Sequence, residues 1–301
     1  MTTTHKLILG GFGIALLGAI LAIALLPDRT PAPERAPVAT TPTISAPAAP
    51  VPFATSTVIG YSVNGRAIEA YRIGTGTRPL LFVGGIHGGY EWNSILLAYE
   101  MIDYYQADPT RVPSEVALDI IPNLNPDGLY EATGLTGRFT AADIPNTDMH
   151  RTGAGRFNAN DVDLNRNFDC KWEPQSTWRG QTVSAGTAPF SEPEAAALRD
   201  YVFDIVPEAA VFWHSRANNV YASECEDGVL PETLVLMDTY ANAGNYGAVP
   251  VFDAYPITGD AEGWLASLGI PAVTVELETR TSVEWQRNLA GTEAIITQYA
   301  K

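Results

Sequence analysis

Between residues 57 and 301 the chain has three histidines, His87, His150 and His214. Two of them end apolar runs: His87 closes PLLFVGGIH and His214 closes EAAVFWH. Such runs suit strands buried on both faces, and active sites of α/β sheets gather at the carboxyl ends of strands. Gly88-Gly89 lets the backbone turn directly after His87, and Glu91 follows on the same loop. Two imidazoles and one carboxylate make a donor set suited to a catalytic zinc ion that keeps one position open for water. Each histidine taken singly is more often a hydrogen-bonded structural group, so the set carries the argument. Glu276 interrupts the apolar strand AVTVELET. A carboxylate there is costly unless it is paired or functional. Beside zinc it would be a general base acting on water; otherwise it would be salt-bridged to a buried arginine. Asp163-Leu164-Asn165-Arg166-Asn167-Phe168 sets a guanidinium beside two amides, an arrangement that holds carboxylates. Arg156, ten residues before Arg166, is placed to face a developing oxyanion. His150 reads as a surface or loop histidine.

The elements that must position these groups alternate between strand and helix. Thr57–Ser62 and Arg66–Ile73 flank an Asn64-Gly65 turn and predict a hairpin. Residues 79–86, 116–122, 209–213 and 272–277 read as strands. Residues 92–106, 231–242, 263–268 and 283–299 read as helices. Ser191-Glu192-Pro193-Glu194 predicts a capping box opening a helix that runs to about Ile205. Residues 124–190 are rich in Gly, Asn, Thr and Asp, and read as one long functional loop. This alternation implies an α/β domain with helices on both faces of a largely parallel or mixed sheet.

The amino-terminal part is different. Residues 7–26 contain no charge and are long enough to span a bilayer, at about 1.5 Å per residue. They are read as a transmembrane anchor, with a signal peptide cleaved after Ala24 as the alternative. Lys6 then keeps residues 1–6 in the cytoplasm, and the domain is exported to the cell envelope. Residues 27–56 hold eight prolines and read as an extended linker. Residues 57–301 carry 15 of the 18 basic and 32 of the 34 acidic residues, a net charge of −17. That charge repels phosphate backbones and argues against nucleic-acid binding. Two cysteines exclude a disulfide-rich scaffold or a multi-cysteine zinc finger. Cys170 and Cys225 are either a disulfide bracing two loops near the site or two unrelated thiols.

The motifs IGYSVNGRAIEAYRIG, GGIHGGYEWNS, IPNLNPDG, GRFNANDVDLNRNF, APFSEPEAAAL, FWHS and VTVELE resemble the zinc carboxypeptidase superfamily, in order, across nearly all of 57–301. The resemblance includes bacterial murein peptide amidases. It implies a three-layer α/β/α sandwich around a mixed, about eight-stranded sheet. It implies one zinc ion per chain, held by His87, Glu91 and His214, and Glu276 as general base and then proton donor. It further implies that Arg156, with Arg151 as fallback, polarises the scissile carbonyl, and that Asn165 and Arg166 clamp the terminal carboxylate. Tyr255, nine residues before Trp264, would cover the bound substrate. Asp260 and Glu262 would favour a basic or amino-bearing terminal residue if they face the specificity pocket, and nothing if they face solvent. The usual H-x-x-E spacing is here His87-x-x-x-Glu91, and an extra glycine would let the loop bulge and still deliver the carboxylate. Peptide and peptidoglycan stem-peptide substrates both fit. The competing functions are a zinc deacylase of N-acyl amino acids, and a non-catalytic module that binds cell-wall peptide.

Overall fold

The structure is a computed structural model that describes residues 54–145, 149–253 and 255–301. The expected anchor at 7–26 and residues 27–53 of the linker lie outside the described residues. Among the described residues no helix is long and apolar enough to cross a membrane.

Strands β1 (Ala54–Tyr61) and β2 (Ala67–Ile73) pair antiparallel around the expected Asn64-Gly65 turn, with β1 taking in the last three residues read as linker. The chain continues through β3 (Arg78–Val83), α1 (Trp92–Ala107), β4 (Val116–Ile121), α2 (Pro126–Thr133), the short α3 (Met149–Thr152) and a hairpin of β5 (Gln175–Trp178) and β6 (Gln181–Ser184). Then come α4 (Pro193–Ile205), β7 (Ala209–Ser215), β8 (Asn219–Ala222) and two short strands, β9 (Glu224–Cys225) and β10 (Gly228–Val229). The last elements are α5 (Pro231–Gly244), β11 (Gly247–Val249), α6 (Ala261–Ser267), β12 (Ala272–Leu277) and α7 (Trp285–Tyr299).

Eight strands form one mixed sheet in the order β1-β2-β4-β3-β7-β12-β8-β11. The central β4, β3, β7 and β12 run parallel, while β2 and β8 pair antiparallel to their inner neighbours. The central strands are apolar throughout because both faces are covered. Leu80, Phe82, Val211, Trp213 and Val275 point into one core with Ile102 of α1, Tyr240 of α5 and Ile296 of α7. The alternate residues Leu81, Val83, Ala210 and Phe212 point into a second core with Leu198 of α4 and Leu265 of α6. This is the expected three-layer arrangement. Period-two alternation then places His214 and Glu276 on the α4–α6 side of the sheet.

Two local expectations are corrected. Residues 124–190 are not one loop: they contain α2, which Asn125 caps by accepting from the Gly128 amide, and the β5–β6 hairpin. The capping box at Ser191–Glu194 does not form, and Glu192 at the N-cap makes no side-chain cap hydrogen bond. Those side chains hold the long loop instead. Asn158 Nδ2 donates to Glu192 and Glu194, at 2.7 and 3.1 Å, and Asn167 Nδ2 donates to Ser191 Oγ at 3.0 Å. Glu194 also accepts from the Val63 amide of the first hairpin, at 3.1 Å.

Candidate metal and catalytic site

The site forms where β3, β7 and β12 end. His214 and Glu276 are register partners on the neighbouring parallel strands β7 and β12. Behind His214, Trp213 donates to Tyr240 Oη at 3.0 Å, and Tyr240 bonds Asn288 at 2.8 Å, so α5 and α7 fix the strand end. After β3 the chain enters a 3₁₀ turn at Gly88–Glu91 that runs into α1. Gly88 has φ +46°, and a Cβ there would meet the Gly155 carbonyl oxygen at 2.6 Å and Gly128 at 2.9 Å. That backbone packing lays the His87 turn against residues 153–156, and so brings Arg156 to the site.

His87, Glu91 and His214 are all buried, and one donor atom from each lies within 4.8 Å of the others. The three-residue spacing therefore does deliver Glu91. Its Oε2 accepts from the Ser215 amide at 3.2 Å and lies 3.3 Å from His214 Nδ1. Each imidazole has its remaining nitrogen against a carboxylate: His87 Nδ1 is 3.6 Å from Asp163 Oδ1, and His214 Nε2 is 3.2 Å from Glu262 Oε1. Carboxylates set behind histidines in this way orient metal ligands. Glu276 Oε2 is buried beside this set without a hydrogen-bond partner among the described residues. A buried nitrogen–oxygen donor set of two imidazoles and one carboxylate fits a zinc ion.

Burial, reinforced by Arg156, holds the His87 imidazole well below its ordinary value, so it is neutral. Burial by itself would raise the Glu91 carboxyl, but His87, His214 and Arg156 carry it down to about 2. Burial opposes charge on His214 too, yet its contacts with Glu262 and Glu91 push it up to about 10. Protein alone holds His214 as an imidazolium between two carboxylates, and metal and proton compete for it. Burial and the neighbouring Glu91 push Glu276 up to about 7.

The remaining expected residues take varied places. Arg156 is buried and donates from Nε and Nη2 to Asp163 Oδ2, at 3.2 and 2.8 Å. Asp163 thus ties Arg156 to His87, a positioning role the sequence reading did not assign. Its signal was an acid held between the apolar Val162 and Leu164. Asn165 Oδ1 accepts from the Ala261 amide at 2.9 Å, which docks the loop on the start of α6. Arg166 is buried, with Nε on Ser176 Oγ at 3.1 Å and Nη1 on the Asn165 carbonyl. Arg151 is exposed on α3. His150, expected at the surface, is half-buried with its ring against Tyr90. Tyr255 is 52% exposed and packs on Phe252. Glu262 is neither at the surface nor on an open pocket wall: it is 1% exposed and bonded to Thr274 Oγ1 at 2.8 Å, against His214. Asp260 caps α6 by accepting from the Gly263 amide at 2.7 Å. Cys170 and Cys225 form a disulfide, which resolves that alternative.

Residues 44–288 match the zinc carboxypeptidase family. The chain belongs to that family. It is 24% identical over 253 residues to the gamma-D-glutamyl-L-diamino acid endopeptidase 1 of Lysinibacillus sphaericus, covering 77% of this chain and 62% of that one. It is 28% identical over 246 residues to carboxypeptidase B of Helicoverpa zea, covering 72% and 56%. The matched regions thus span less than two thirds of either relative. The murein-tripeptide amidase MpaA of Escherichia coli O157 has the same fold, with a TM-score of 0.55 at 22% identity, covering 80% of this chain and 90% of that structure.

Proposed function

We propose that the enzyme hydrolyses the amide or isopeptide bond before a terminal residue with a free carboxylate, on peptidoglycan stem peptides or basic-ended peptides. The observation that carries this is the register pairing of Glu276 with His214, which sets a carboxylate pushed up to about 7 beside the donor set of His87, Glu91 and His214. Those three residues hold zinc. When bound, the ion supplies Lewis acidity, polarising a carbonyl and bringing water's proton loss toward neutral pH. Glu276 takes the proton of the attacking water and gives it to the leaving nitrogen. Arg156 keeps Nη1 outside its Asp163 pairing and turns it to the oxygen on which negative charge grows. Arg166 Nη2 and the Asn165 amide nitrogen hold the terminal carboxylate. Tyr255 closes over the bound substrate. Glu262 acts through His214, leaving Asp260, near enough to Arg166 to feel its charge, as the acid that would attract an amino-bearing terminal side chain. The relative that acts on gamma-D-glutamyl-L-diamino acid bonds supports the stem-peptide choice.

The catalytic domain belongs outside the cytoplasm on this reading, tethered by residues 7–26. The Cys170–Cys225 disulfide supports an oxidising compartment. A C-terminal reporter active only in the cytoplasm would overturn the orientation. For the activity, the purified protein is given lysine-ended peptides, a γ-D-glutamyl–diaminopimelate stem and N-acyl amino acids, and the products are weighed by mass spectrometry. Chelator-sensitive release of one terminal residue is expected. Deacylation without peptide cleavage would replace the proposal with the deacylase reading.

A further inference from the structure

Tyr90, the residue before Glu91, is 1% exposed, and its hydroxyl has no hydrogen-bond partner among the described residues. Three guanidinium groups converge on its ring: Arg280 at 4.2 Å from the centroid, Arg179 at 5.6 Å and Arg156 at 5.8 Å. Arg156 and Arg179 also flank Trp178, at 4.7 and 4.8 Å. Among the described residues, few carboxylates contact them. Asp163 takes up Arg156. Arg280 has one carboxylate contact among the described residues, 3.5 Å to Glu91 Oε1, and Glu91 is shared with the metal site. Among the described residues, Arg179 hydrogen-bonds the Arg151 carbonyl, at 3.4 Å, and has no carboxylate contact. In a domain whose net charge is −17, surplus cation gathered at one edge of the donor set marks an anion-binding place.

Arg280 and Asn165 reach the donor set through different residues. A line of contacts runs from Arg280 to Glu91 (3.5 Å), to His214 (3.3 Å), to Glu262 of α6 (3.2 Å). Asn165 docks on α6 at the far end of that line, through the Ala261 amide. Arg280 stands at the near end, on the segment that Asn93 of α1 grips through the Thr279 and Ser282 carbonyls. A substrate with its terminal carboxylate on Arg166 and its scissile carbonyl at the donor set would pass its preceding residue by Glu91, which Arg280 contacts.

We propose that Arg280, with Arg179 beside it, is a subsite for a free carboxylate on the residue that precedes the scissile bond. The inference rests on the function proposed above and narrows its substrate class. A glutamyl residue linked through its side chain meets the requirement, because its α-carboxylate stays free and only a short aliphatic arm from the scissile carbonyl. An α-linked glutamate presents its side-chain carboxylate at a similar reach.

The test uses two matched substrate pairs with the full-length, zinc-loaded protein. One pair is a γ-D-glutamyl–diaminopimelate stem and the same stem with the glutamyl α-carboxylate converted to an amide. The other is a lysine-ended linear peptide with Glu, or with Gln, before the scissile bond. Within a pair, kcat/KM is expected to favour the acid by about ten-fold or more, the scale of one hydrogen bond to a charged group. Arg280→Gln should collapse that ratio toward one, whatever loss both members share, and Arg280→Lys should restore part of it. Zinc content is measured for each variant, because a merely structural role beside Glu91 lowers both members equally and leaves the ratio unchanged. Wild-type ratios near one in both pairs, or an Arg280→Gln protein that keeps the wild-type ratio, overturn the subsite. Cleavage of the linear pair alone, with its acid preference intact, rejects the stem-peptide reading and keeps the subsite. No cleavage of either pair rejects both.

Discussion

The site has two halves built by different means. His214 and Glu276 sit on adjacent parallel strands, where backbone register dictates their separation. Arg156, Asn165 and Arg166 sit on a segment with little regular structure, where polar side chains and one disulfide dictate theirs. The strand half is braced by two apolar cores, and its geometry is insensitive to any one surface contact. The loop half depends on individual buried hydrogen bonds, each of which costs free energy to leave unmade. On the proposed function, the base and one metal donor fall to the sheet, and the groups that would hold the substrate fall to the loops, as is common where loops carry function on a rigid scaffold.

The sharpest way to separate the halves is to remove chemistry from the strand half without moving it. Glu276→Gln keeps shape and strand pairing while removing the base. It should lower kcat/KM by about 10²–10⁴-fold and leave one zinc per chain. A variant with near-normal turnover would move the base elsewhere. The next largest effect belongs to the loop half. Cys170 and Cys225 are 55 residues apart, and a loop of that length loses about 4 kcal/mol of stabilisation when opened, on the chain-entropy account. The double serine variant, unfolded in urea under oxidising conditions beside the wild type, should show that loss. An unchanged midpoint would mean that the polar contacts hold the loop unaided.

Asp163 joins the halves, because one of its oxygens faces His87 and the other holds Arg156. Asp163→Asn should weaken zinc binding by about 10–100-fold, the usual consequence of disturbing a carboxylate behind a ligating histidine. Competition with a chromogenic chelator measures it. Unchanged affinity would confine Asp163 to positioning Arg156.

The same division governs what the sequence reveals. Strand-end groups are legible because buried parallel strands declare themselves as unbroken apolar runs, so His214 and Glu276 were placed on their strands, and His87 just beyond one, from the sequence. The chain path at Glu91 was legible too, because Gly88 permits the left-handed turn the spacing requires. Loop contacts were not. Ser191, Glu192 and Glu194 have the spacing of a helix cap, yet Asn158, Asn167 and Val63, all distant in sequence, recruit them. The helix α2 is short, so its periodicity is weak. Glu262 was read as facing either the specificity pocket or solvent, and the turn of α6 carries it inward against His214. Tyr90 and Arg280 lie far apart in the chain, and only the fold stacks them.

The smallest effect tests the seam where loop and sheet meet at α6. Asp260 is partly buried there, and burial and then Glu262 push its carboxyl up to about 6. Its value in the unfolded chain is about 3.9. Below that pH both states hold the proton and Asp260 costs nothing. As pH rises toward 6 the unfolded chain releases the proton first, so stability falls, and above 6 the loss is complete. Asparagine caps a helix as well as aspartate does and carries no charge. Asp260→Asn should therefore match the wild type near pH 4 and exceed it by about 1 kcal/mol at pH 7, after discounting for partial exposure. Urea unfolding of both proteins in chelator at the two pH values reads this directly. Parallel curves would mean that water reaches Asp260 and relieves the repulsion. The two acids would then be independent, with Glu262 serving His214 and Asp260 capping α6.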